Sequence, residues 1–152
     1  MGISKKTYFT LLVLAVTGLS PCKQSRRPSK ERFEEISRVV IPEGVTVLKD
    51  EFYDMPPDYT IIYEVKIPQS AMTSLIKKIK RSGLYHITVP YKRKVSMYEV
   101  QIDNDDDGIW KQTETGYNFF KEDGKTQYSI YIDTTSMMFM AWEGYTGGLV
   151  LK

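Results

Sequence analysis

The residues whose types and spacing come closest to a chemical motif are Asp103-Asn104-Asp105-Asp106-Asp107-Gly108, with Glu114 beyond them. The run satisfies D-x-D-x-D-G-x5-E, the spacing with which an EF-hand loop offers oxygen ligands to calcium. Asp103, Asp105 and Asp107 would turn alternate carboxylates toward the ion, Gly108 would permit the sharp turn, and Glu114 would close the shell. The flanks point elsewhere. Tyr98–Ile102 and Tyr117–Phe120 have strand character, whereas an EF-hand has a helix on each side, and Trp110 stands where a small aliphatic residue belongs. In that context the Asp cluster reads as a hydrated turn, with a calcium site as the alternative.

A second concentration of charge is basic. Lys77, Lys78, Lys80 and Arg81 close one segment, and Lys92, Arg93 and Lys94 lie in the next. Together they could meet anionic lipid or an acidic partner; separately they are a solvated helix face and a charged loop. Catalytic sets are harder to assemble. His86 is the only histidine and Cys22 the only cysteine, which rules out a multi-histidine metal site and an internal disulfide. No nucleophile–base–orienter set can be named and no glycine-rich phosphate loop occurs, so a dedicated enzyme and a cofactor are not expected. A hydrolase of envelope material working through carboxylates or His86 stands as an alternative.

Composition sets the frame for these candidates. The chain has 152 residues, 41% hydrophobic and 26% charged, an ordinary globular mixture sized for one domain. Two of its 21 Lys and Arg lie in residues 1–21, which hold no acid, leaving 19 basic against 19 acidic residues. A body without net charge gives no global field for nucleic acid, and none is expected as a partner.

The N-terminus has three blocks: Lys5 and Lys6, an apolar run over Tyr8–Leu19, and then Ser20-Pro21-Cys22. That run is short of the roughly 20 residues needed to span a bilayer, and a charged start before a short apolar core is the pattern of an export signal. Leu19-Ser20-Pro21-Cys22 resembles the lipobox of bacterial lipoproteins, although Pro21 stands where that class carries Gly, Ala or Ser. The resemblance covers these first 22 residues only. It implies a signal peptide over 1–21, diacylglyceryl transfer to the Cys22 thiol, and cleavage that leaves Cys22 first. It also implies a membrane-anchored protein of the cell envelope; with no Asp after Cys22, it implies an outer-membrane position facing the periplasm. Residues 22–30 are polar and basic and read as a tether, and 31–152 as a single domain.

Within that domain the patterns predict an α+β fold: an antiparallel sheet of about six to seven strands, a main amphipathic helix over about 70–82 packed on it, and a short N-terminal helix. Ser29 is expected to cap the short helix, which runs through about Val40 with Phe33, Ile36 and Val39 or Val40 on one face. Over Ser70–Ser82, Met72, Leu75, Ile76 and Ile79 form an apolar stripe, and Gly83 supplies a left-handed stop. Strands are expected over Val45–Tyr53, Tyr59–Ile67, Lys94–Ile102, Ile109–Glu114, Tyr117–Glu122, Lys125–Asp133 and Met137–Glu143, the last four as a meander, with Gly144–Lys152 as a loose tail. In the last strand Met137, Phe139 and Trp142 are expected on one face, with Met138 and Met140 opposite. The functional expectation is a small exported, lipid-anchored protein with a non-enzymatic binding or assembly role toward an unknown protein partner in the envelope. An inhibitor or immunity-type lipoprotein is a further alternative.

Overall fold

A computed structural model of the chain describes residues 27–87, 89–90 and 108–146. Two helices, α1 (Ser29–Ser37) and α2 (Gln69–Arg81), accompany six strands: β1 (Thr46–Met55), β2 (Asp58–Lys66), β3 (Ile109–Gln112), β4 (Gly116–Asp123), β5 (Thr126–Asp133) and β6 (Met138–Tyr145). The strands form one sheet in the order β1-β2-β6-β5-β4-β3, every pair antiparallel. The expected α+β layout with an antiparallel sheet is therefore present, with six strands among the described residues. The strand expected over Lys94–Ile102 lies outside them.

Alternation decides which face is inside. In β2, Ile61, Tyr63 and Val65 point one way, and pairing carries the same parity across the whole sheet. One row runs Asp50–Tyr63–Ala141–Ile130–Phe119–Trp110 over all six strands, and the next runs Val47–Val65–Phe139–Ile132–Tyr117–Gln112. Phe33 of α1 and Met72, Leu75 and Ile79 of α2 join these residues in one buried cluster, so both helices lie on this face. The stripe expected on α2 is the one that packs.

Four local expectations need correction. Ser29 does not cap α1: Pro28 holds the cap position, and buried Ser29 donates its hydroxyl to Asp50 Oδ1 at 2.6 Å. The helix also stops at Ser37, because Arg38 takes a left-handed conformation at φ 55°; Val39 and Ile41 then enter the core as loop residues. The carbonyl of buried Ser37, at the helix end, accepts the indole N–H of fully buried Trp110 at 3.1 Å, a long-range closure in place of a local cap. In β6, Phe139 pairs inward with Val65 and Ile132, while Trp142 points outward with Met138 and Met140. Residues three apart on a regular strand cannot share a face. Gly144 and Tyr145 belong to β6 rather than to a tail.

A charged cleft under the first helix

The helix-side rows of the sheet change character toward one end. The row Phe52–Ile61–Glu143–Tyr128–Lys121 places a carboxylate in its centre, and the adjacent row brings Tyr59, Tyr145 and Asp123 beside it. Glu143 is 0% exposed and is the one buried charged residue among those described. A bare carboxylate there would cost several kcal/mol, so partners must arrive from elsewhere in the chain.

They arrive from α1 and β2. Arg32 Nε donates to Glu143 Oε2 at 3.0 Å while its Nη2 donates to Oε1, a two-point pair. The Tyr59 hydroxyl donates to Glu143 Oε1 at 2.6 Å, and its ring stacks on Tyr145 with centroids 5.4 Å apart. The bond to Glu143 holds the Arg32 guanidinium even more firmly protonated than usual, against the opposing effect of burial. Burial, reinforced by the bond to Glu143, pushes the Tyr59 hydroxyl up to about 12. Burial and the Glu143 charge raise Tyr128 as well. Both oxygens of Glu143 are thus engaged, which suits a fixed anion better than a general base.

Above this pair lies a cleft of about 610 Å³ between α1 and the sheet. Arg27, Arg38 and Lys121 line it together with Glu35 and Asp123. Glu35 is taken by Arg27, whereas no carboxylate pairs with Arg38 or Lys121 among the described residues. With Arg32 and Glu143 included, four cations face three carboxylates across the lining, which favours an anionic visitor.

The residues singled out from sequence lie elsewhere. Lys77, Lys78, Lys80 and Arg81 are exposed along the second half of α2, and Lys78 Nζ approaches the Val40 carbonyl at 3.5 Å. Lys92, Arg93 and Lys94 lie outside the described residues, as do Cys22, Asp103, Asp105 and Asp107. Gly108 has the left-handed φ of 73° expected of it, and its N–H bonds Phe120 O at 2.7 Å as β3 begins. Glu114 is exposed in the turn that joins β3 to β4. All four residues of β3 separate it from Gly108, about 13 Å of extended chain. His86 is exposed beside β3, with its backbone N–H bonded to Trp110 O. None of those among the described residues joins the cleft, and sequence alone marks none of the lining side chains as a candidate site.

The fold and cleft define an α+β domain whose most convergent polar groups are a locked ion pair under an open cationic rim. No protein-family model, curated protein or solved structure matches the chain.

Proposed function

We propose that this chain is a small exported protein, anchored to the bacterial envelope through lipid on Cys22, whose domain binds an envelope partner without performing catalysis. The outer membrane facing the periplasm is the position its signal-like N-terminus favours. The observation that carries the reading is the place of Arg27. It opens the described chain on the rim of the charged cleft, only five residues past Cys22. Five residues span at most about 18 Å, so a lipid on Cys22 keeps the cleft close to the headgroup region. Arg38 and Lys121 then favour an anionic group on whatever is bound there, with Lys23 and Arg26 adding to the attraction.

Palmitate labelling in a Gram-negative host tests the anchor. The full-length chain should take up the label and the Cys22→Ser variant should not; an unlabelled wild-type chain contradicts the reading. A second arm tests the cleft. Residues 23–152 should adsorb at low salt to vesicles containing phosphatidylglycerol, and the Arg38→Ser, Lys121→Ser double variant should adsorb more weakly. Equal adsorption removes the cleft from the account.

A further inference from the structure

The two edges of the sheet are finished differently. At the β3 edge, Leu84–His86 runs alongside Trp110: Trp110 N–H bonds Leu84 O at 2.7 Å and His86 N–H bonds Trp110 O at 3.0 Å. At the β1 edge no described segment pairs with the outer side, although β1 is the longest of the described strands at ten residues. About half of an edge strand's N–H and C=O groups point away from the sheet and offer themselves to another strand. Side chains add to the offer. Val47, Leu48, Phe52, Tyr53 and Met55 are between 44% and 55% exposed and include most of the large apolar side chains exposed among the described residues.

Charge selects among occupants. Along β1, Lys49 stands against Asp50, Glu51 and Asp54. A second copy joining edge to edge in antiparallel fashion would place residues of the same parity opposite one another. Centred on Lys49, Asp50 or Glu51, that pairing opposes each residue to itself; centred on Phe52, it opposes Asp50 to Asp54 twice. Like charges directly opposite are destabilising, so self-pairing is disfavoured in these registers; centred on Tyr53 it opposes no like charges, but it shortens the paired edge to Glu51–Met55 and sets each Asp54 against the Phe52 ring instead of a cation. A basic strand has no such conflict. The irregularity between Val47 and Lys49 limits the regular edge to Lys49–Met55. On its helix side Asp50 and Asp54 flank Phe52, and on the other side Glu51 lies beside Tyr53. Asp50 already accepts from Ser29, and Glu51 from Tyr53, so Asp54 is the acid that interactions with other described residues commit least.

We infer that the outer edge of β1 takes an extended segment of a partner protein as an added antiparallel strand, one with a basic–x–apolar–x–basic face against Asp50, Phe52 and Asp54. Main-chain bonds would supply attachment and the acids would choose the sequence. This inference builds on the domain as a binding module and is independent of the lipid anchor and of the cleft.

A fluorescent seven-residue peptide, Thr-Lys-Thr-Val-Thr-Lys-Thr (the Lys–Val peptide; its Glu–Val counterpart replaces both Lys by Glu), added to residues 23–152, tests it by anisotropy. Binding is expected, at least about tenfold tighter than for the Glu–Val counterpart, and weakened about tenfold or more by Asp54→Lys with an unchanged melting temperature. Should Asp54→Lys impair folding, Asp54→Asn provides the same comparison at smaller amplitude. A Lys–Val peptide N-methylated on alternate residues, in both possible phases, separates strand addition from simple charge attraction: one phase must lose binding. Equal binding of both methylated forms, equal binding of the Lys and Glu peptides, or no binding at millimolar peptide each overturns the inference. So does a dimer in sedimentation that Asp54→Lys disrupts. Failure here with intact palmitate labelling would leave the anchored domain standing without this partner.

Discussion

Arg32 and Glu143 stand 111 positions apart and meet through two hydrogen bonds beneath α1, with the Tyr59 hydroxyl donating to the same carboxylate. The pair joins the first helix to the last strand, so it ties the two ends of the described fold together. Its geometry also fixes the floor of the cationic cleft.

Removing one member should cost more than removing both. Arg32→Met leaves the Glu143 carboxylate buried and uncompensated, and denaturant unfolding should show a loss of about 3 kcal/mol. The Arg32→Met, Glu143→Leu double variant should recover much of that loss, because two apolar side chains leave no stranded charge. Additive losses would mean that the pair is not coupled as its geometry indicates.

Tyr59 gives the pair a signature in alkali. Its hydroxyl titrates near 10 in an unfolded chain and is pushed up to about 12 here, by burial first and then by its bond to Glu143. The folded state therefore holds the proton more tightly, so the stabilising contribution is complete below pH 10 and disappears as pH rises toward 12. Unfolding measured across that range should bring wild type and Tyr59→Phe closer together as pH rises. A constant gap between them would show that the phenol is not coupled to folding.

Gly116 is required by a close approach and not by an unusual backbone angle. A Cβ built there falls inside the radius of the Ile132 carbonyl oxygen, on the neighbouring strand β5. Gly116→Ala must push two paired strands apart, and thermal or urea unfolding should show at least about 3 kcal/mol of destabilisation. A near-wild-type Gly116→Ala would contradict the β4–β5 register.

On the outward face the Trp142 indole lies over Gly144, where any Cβ would strike the ring. Gly144→Ala should lift the ring toward water, shift tryptophan emission to the red and increase quenching by iodide. Trp110, fully buried, supplies an unquenched background. Unchanged quenching would place the indole elsewhere.

Elements with strong local signals were legible from sequence. The α2 stripe of Met72, Leu75 and Ile79 has its helical period, and Gly83 has the left-handed φ of 74° that its position after the helix implies. The alternation of Ile61, Tyr63 and Val65 marks β2, and Asp123-Gly124 marks the β4–β5 hairpin, with Gly124 at φ 61°. The cleft was not legible. Its side chains come from Arg27 ahead of α1, from α1 and the residue after it, and from β4, β5 and β6, and each charged one alone looks like an ordinary solvated charge. Glu143 read as the polar end of a strand, because nothing nearby in sequence shows that β6 lies between β2 and β5 and so takes residue 143 into the interior. Ser29 misled for a related reason: its type is that of a helix cap, but its actual partner, Asp50, is on β1.

The measurement that tests the central claim most directly is the intact mass of the full-length chain after expression in a Gram-negative host. The account predicts a mature product that begins at Cys22, carries added acyl mass and partitions into the detergent phase. A chain that retains residues 1–21, or one that is cleaved and carries no acyl group, would contradict it.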